Sequence, residues 1–204
     1  MSSPEPATKA EAVTAFRRAQ ILSAARERFT RQGVTNTTVN DIAKAAKVAK
    51  GTVYLYYRTK DDLLRQLLDD DLDALRSATL PVIAEPGALH RRLCRFFEIT
   101  LEFFDRHREF IEHCQLEMKP EVRKKVRTTL GRCYQDQVDA WTRSLALDAA
   151  RGEVASSTAD GVSWQIVALA RGMAQQRLAG WTSESPLDAA TRAAELLSKG
   201  LATR

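Results

Sequence analysis

Residues 37–60 read TTVNDIAKAAKVAKGTVYLYYRTK, and the fold of the chain is decided there. Val39, Ile42, Ala43 and Ala46 recur at i, i+3, i+4 and i+7, one apolar stripe on a short helix. Thr37 or Thr38 can cap its start. Thr38 with Asp41 three residues on has the spacing of a capping box, although Asp reaches back less well than Glu. Lys47-Val48-Ala49 interrupts the pattern, and a second short helix is predicted from Lys50 to Tyr57. Two helices of one or two turns joined by a few residues describe a helix-turn-helix.

The second helix has the chemistry of a reader. Val53 and Tyr57 stand at i, i+4 and face inward, which leaves Thr52, Tyr54, Leu55 and Tyr56 pointing outward or sideways. Lys50 and Gly51 lie at its N-terminus, where a recognition helix meets base edges, and Gly51 lets a backbone approach DNA closely. A purely structural reading would make the aromatics core. Three tyrosines in four positions of one short helix cannot all be buried, however, so at least one hydroxyl is wet or bound. Charge points the same way. Residues 1–60 hold 11 Lys/Arg against 4 Asp/Glu, whereas residues 61–204 hold 20 against 22. A basic segment on a near-neutral body indicates a polyanion partner at one end.

Working outward, the pattern from Gln20-Ile21-Leu22 through Gly33, Thr37-Thr38, Asp41-Ile42-Ala43 and Lys50-Gly51-Thr52-Val53-Tyr54 to Thr59-Lys60-Asp61-Asp62-Leu63 closely resembles the DNA-binding domain of TetR (tetracycline-repressor-like) transcriptional regulators. The resemblance covers roughly residues 16–66. It implies DNA contacts at Thr38, Lys50, Thr52, Tyr54, Tyr56 and Lys60, with the Lys60 ammonium and the Tyr56 hydroxyl on phosphates. Lys50, Thr52 and Leu55 are the better candidates for base edges; for Tyr54, tertiary packing is the competing role. The family's usual Gly-Val-Ser turn is Lys47-Val48-Ala49 here. Lys47 is expected to take a positive φ at some cost and to offer a phosphate contact. Ala49 cannot cap the reader with a hydroxyl.

Residues 1–12 are expected to be a flexible arm, and residues 13–60 the helix-turn-helix domain. Its first helix buries Ile21, Leu22, Ala25 and Phe29 and stops at Gly33. Thr59 can cap a fourth helix whose Leu64, Leu67, Leu68, Leu72 and Leu75 form a stripe to about Leu80, bridging to a body over 61–204. Pro81 and Pro86-Gly87 are expected to end it. The body reads as helices over 88–105, 108–118, from Pro120 onward, 159–180 and 186–201, with 149–158 a loop. The expected fold is all-α: a three-helix DNA-binding domain, a bridging helix, and a helical ligand-binding and dimerisation domain. No apolar run approaches a membrane span, and MSSPEPATKAEAV lacks the pattern of a secretory leader. Three cysteines without paired spacing (Cys94, Cys114, Cys133) suit reduced thiols in the cytoplasm.

Aromatics at helical spacing are commonly core. By family analogy, the helices over 88–147 enclose a cavity for a hydrophobic or aromatic small molecule, with Phe96, Phe97, Phe104 and Trp141 as walls and His113, Tyr134 and Gln137 as polar anchors. His90, Cys94 and Glu98 share one helix face, but no fourth ligand is evident, and no metal or cofactor is expected. No nucleophile elbow, phosphate loop or zinc-protease motif indicates an enzyme. Val162, Ile166, Ala168, Leu169, Gly172, Met173, Leu196 and Leu197 on the last two helices are expected to form a four-helix interface in a homodimer; closing the monomer core is their competing role. The expectation is a repressor released from a palindromic operator by its effector. The alternative is a helical small-molecule-binding protein or enzyme with a vestigial helix-turn-helix.

Overall fold

The computed structural model describes residues 8–154 and 156–201. Among these it contains nine helices: α1 (Lys9–Gln32), α2 (Val39–Ala45), α3 (Lys50–Tyr56), α4 (Lys60–Ala84), α5 (Leu89–Arg106), α6 (Arg108–Glu117), α7 (Pro120–Ala150), α8 (Ser156–Leu178) and α9 (Pro186–Leu201). The all-α expectation holds. Two compact units are formed. One contains α1 to α3, α4 as far as Leu68, α6, and α7 as far as Lys124; the other contains the rest of α4 and α7 with α5, α8 and α9. The first unit thus reaches beyond the 13–60 segment. None of the described helices is long and apolar enough to cross a membrane.

Capping chemistry sets several of the boundaries. The Thr8 hydroxyl accepts the Glu11 N–H at 3.3 Å, and the Glu11 carboxylate accepts the Thr8 N–H at 2.7 Å. This capping box starts α1 at Lys9, inside the expected arm, whose residues 1–7 lie outside the described residues. Thr59 and Asp62 make the same reciprocal pair, both bonds 3.0 Å, at the start of α4. At the end of α7, Gly152 adopts φ 73 and the Glu153 N–H reaches the Asp148 carbonyl at 3.0 Å. This tight C-terminal motif, with α8 beginning at Ser156, replaces most of the expected 149–158 loop.

Pro81 does not end α4, which continues to Ala84. Proline removes the bond to the carbonyl four residues back, but the turn beyond it is held from outside. Ile83 is fully buried, and its carbonyl accepts Ser144 Oγ at 2.9 Å and an Arg92 N–H at 3.5 Å. The helix stops one residue before Glu85, which precedes Pro86 and is pushed out of the helical region.

In the second unit, α5 supplies Leu93, Phe96 and Phe97 to a core completed by Val138, Trp141 and Leu145 of α7, Ile166, Val167 and Ala170 of α8, and Ala190, Ala193 and Ala194 of α9. Within it lies a buried ion pair. The side chains of Arg92 and Asp148 are 3 % and 1 % exposed, and the guanidinium also donates to Ser144 Oγ. Arg151 meets the same Asp148 carboxylate from the rim.

Candidate nucleic-acid interface

The chain between α1 and α2 has a donor for every carbonyl. The Gly33 carbonyl accepts the Thr37 hydroxyl at 2.7 Å, and the Asn36 carbonyl accepts the Gln32 amide at 3.0 Å. Val34, Thr35 and Thr37 carbonyls all accept from the Lys60 ammonium. Of its amides, Gly33 donates to Phe29, Thr37 to Val34, and Thr35 to the Glu117 carboxylate. A connection this fully satisfied holds one geometry. It delivers Thr38 as the N-cap of α2, where the expected capping box with Asp41 forms at 3.2 and 3.0 Å. The hydrogen bonds from the Thr38 hydroxyl and amide hold the Asp41 carboxyl below its ordinary range.

The turn between α2 and α3 is a Schellman motif. The Val48 N–H reaches the Ala43 carbonyl at 3.0 Å and the Lys47 N–H reaches that of Lys44 at 3.1 Å, which places Lys47 at φ 53. This is the positive φ expected of Lys47, and Ala49 makes no side-chain cap, also as expected. Lys47→Gly is therefore expected to raise the unfolding free energy by about 0.5–1 kcal/mol, because glycine carries no Cβ penalty in this region. Urea unfolding of the two proteins checks it.

Val53 is fully buried and Tyr57 nearly so, which fixes α3 from beneath. Lys50 and Gly51 are exposed; a Cβ at Gly51 would meet nothing within 4 Å. Tyr54 is 45 % and Leu55 82 % exposed, while Thr52 and Tyr56 are half-buried. The Lys50 ammonium sits 5.9 Å from the Tyr54 ring centroid, an i, i+4 cation–π pair that orders both side chains. Tyr54 thus keeps an accessible face. Lys60 differs from its expected role. Its ammonium is turned onto the three carbonyls of the α1–α2 connection, and burial lowers its pKa against the opposing charge of Asp61.

The residues expected around an effector divide. Phe96, Phe97 and Trp141 are fully buried in the second unit, the Phe96 and Trp141 rings 5.5 Å apart and edge-on. Tyr134 packs at their margin under Arg171, and burial pushes its phenol up to about 12. Gln137 donates to the buried Thr79 hydroxyl at 3.0 Å. Phe104 joins a separate cluster with Leu101, Ala174 and Ala189. His113 lies in the first unit on α6, its Nδ1 3.4 Å from Glu117. A small cavity of about 90 Å³ lies between Leu101, Met173, Arg177 and Arg192. Of the residues once considered for a metal, His90 faces Ser198, Cys94 faces Thr191 and Glu98 pairs with Arg95; no metal-binding cluster occurs among the described residues.

On α8 and α9, Ile166 is fully buried in the unit's own core, with Val162, Met173 and Leu197 packed partly against it. Ala168, Leu169, Gly172 and Leu196 face outward.

Residues 21–67 match the family model described as bacterial regulatory proteins, tetR family. The chain is 30% identical over 146 residues to the HTH-type transcriptional regulator TtgR of Pseudomonas putida, covering 67% of this chain and 68% of that protein. The chain belongs to the TetR family. This TetR-family protein is a DNA-binding transcriptional regulator rather than an enzyme. Its fold is shared with FadR of Bacillus subtilis, solved in complex with stearoyl-CoA, at TM-score 0.69 and 21% identity over 90% of this chain and 98% of that one. It is also shared with NalD, the secondary repressor of the MexAB-OprM multidrug efflux pump in Pseudomonas aeruginosa, at TM-score 0.65 and 22% identity over 94% and 98%.

Two features of this TetR-family regulator were missed in its sequence, one without any local signal and one with a faint one. The Glu117 contact to Thr35 spans 82 positions and carries no motif. The Arg92–Asp148 pair did leave a trace, since Arg92 precedes Phe96 by four and Asp148 follows Trp141 by seven, each on the core face of its helix.

Proposed function

We propose that this regulator is a homodimeric repressor that leaves a palindromic operator when a hydrophobic or aromatic small molecule enters its second unit. The observation that carries the DNA side is the α3 surface: Val53 and Tyr57 anchor the helix, and Lys50, Gly51, Tyr54 and Leu55 are left facing outward. Lys50, Thr52 and Leu55 then meet base edges, while Thr38, Lys47 and Tyr56 meet phosphates. Lys60 serves by fixing the connection into α2. Two readers related by a twofold axis match half-sites about 34 Å apart or somewhat more. Residues 13–60 carry this activity, residues 61–204 the effector and dimer functions, and the protein acts in the cytoplasm.

On the effector side, the Trp141 indole N–H is buried without an acceptor. A buried donor of this kind is costly to leave unpaired and is available to an acceptor that a ligand brings. Phe96, Phe97 and Trp141 supply apolar walls around it, so the fitting ligand is apolar with one hydrogen-bond acceptor. Phe96, Phe97 and Trp141 are fully buried against one another, so entry requires the aromatic packing to open. FadR shows this fold holding an acyl-CoA; the ligand chemistry here is read from the residues of this chain.

Release follows if the ligand favours a state in which α4 has shifted, because α4 is continuous from the reader unit into the effector unit. A coupling of about 1–3 kcal/mol suffices for a 5- to 150-fold change in operator affinity. The test uses a duplex selected by the protein from a random-sequence library and a panel of apolar ligands followed by Trp fluorescence. Operator DNA is expected to weaken ligand binding by the same factor that the ligand weakens operator binding. Equal ligand affinity with and without DNA overturns the switch; absence of any salt-sensitive duplex favours a vestigial helix-turn-helix.

A further inference from the structure

The α1–α2 connection is gripped from two sides within the first unit. Lys60 of α4 satisfies the Val34, Thr35 and Thr37 carbonyls, and Glu117, the last residue of α6, accepts the Thr35 N–H. The fit around Glu117 is close. Gly33 has φ 81, and a Cβ built there would collide with Glu117 Oε1, so the absence of a side chain at 33 both permits the backbone turn and makes room for the carboxylate. The other Glu117 neighbour is His113, one turn back on α6. Lys119, just after α6, pairs with Asp61 of α4 at 2.7 Å, so the two gripping helices are also tied to each other. The Thr35 bond holds the Glu117 carboxyl below its ordinary range.

We infer that Glu117 is a positioning residue for DNA binding: its bond to the Thr35 amide sets where the α1–α2 connection delivers Thr38 and α2, and hence where α3 presents its reading face. Thr38 stands three residues after the held amide, and α2 leads through the Lys47 turn directly into α3, so a loosened Thr35 frees the start of the element that must dock. The inference rests on the DNA-binding reading and adds a residue that touches no DNA itself. It also gives α6 a task. The chain enters α6 from α5 and leaves it into α7.

The test uses the full chain and the duplex selected by the wild-type protein from a random-sequence library. Affinity, salt slope, thermal midpoint and hydrogen exchange at the Thr35 amide are measured for wild type, Glu117→Gln, Glu117→Asp and Glu117→Ala. Gln keeps an acceptor at the same reach and loses the charge; Asp keeps the charge and loses the reach. Glu117→Gln is expected to protect Thr35 and bind like wild type. Glu117→Asp and Glu117→Ala are expected to expose Thr35 to exchange and to bind about tenfold more weakly, with the salt slope unchanged because no phosphate contact is lost. Should Ala prove too unstable to assay, the Gln and Asp pair decides. Wild-type affinity in Asp with Thr35 deprotected overturns the inference, as does Asp binding better than Gln, which would make charge the operative property. Failure of the wild-type chain to select any duplex would instead refute the DNA-binding reading.

Discussion

Asp148→Ala is expected to lower the unfolding free energy by about 3–5 kcal/mol, the cost of removing one partner from a buried ion pair. Asp148 is fully buried, and Arg92 is 3 % exposed. Arg92 Nε already lacks an acceptor, and the neutral Ser144 and Ile83 partners cannot balance the buried charge when the carboxylate goes. The loss would spread, because the same guanidinium donates to Ser144 and to the Ile83 carbonyl that closes α4 beyond Pro81. Arg151 loses its contact to Asp148 as well, but it is half-exposed and keeps its pair with Glu153, so that loss is cheap. The control is the double variant Arg92→Met with Asp148→Leu. Replacing the pair by apolar side chains of similar volume is expected to recover most of the loss. Urea unfolding followed by circular dichroism reads both. A change below about 1 kcal/mol in Asp148→Ala would mean that the pair is hydrated and holds nothing in place.

Gly172→Glu is expected to separate the proposed dimer and, with it, to weaken binding to a two-half-site duplex by about two orders of magnitude or more, since one reader alone forfeits the second half-site. The monomer itself should tolerate the change. A Cβ at Gly172 meets nothing within 4 Å, and the position faces outward between Ala168 and Gln176 on α8. Glutamate is also the better helix former, by about 0.5 kcal/mol or more. Trp164, Leu169 and Leu196, which are 53 %, 37 % and 70 % exposed, supply the apolar surface that a second copy would cover. Sedimentation gives the result directly. A monomer with an intact thermal transition is the expected outcome, and an unchanged dimer removes Gly172 from the seam.

The reader was legible because its signals are local. Thr38 and Asp41 are three apart, Val53 and Tyr57 four apart, and the break at 47–49 lies between two short apolar stripes. The positive φ at Lys47 was signalled by the glycine that the resembled family carries at that position. What failed to show were contacts that cross long stretches of chain. Lys60 looks from its position like a phosphate ligand, yet three carbonyls from residues 34–37 claim its ammonium. Pro81 looks like a stop because the local rule ignores Ser144 and Arg92, which arrive from α7 and α5 to hold the next turn. The residues expected to line an effector cavity show a third kind of gap. Spacing marks Phe96, Phe97 and Trp141 as inward-facing; His113 was added by family analogy, and α6 places it in the other unit.

The turn of α4 around Pro81 has an elastic consequence. Pro81 donates nothing to the Ser77 carbonyl, and two residues earlier the Thr79 hydroxyl leans back onto the Leu75 and Arg76 carbonyls at 2.8 and 3.3 Å. Both features reduce the stiffness of a helix at the place where they occur. With its far end pinned at Ile83, α4 behaves less like a uniform rod than like a beam with one compliant section next to its clamp. A load carried along α4 is expected to bend it there first, because the Ser77 carbonyl has no backbone donor to lose.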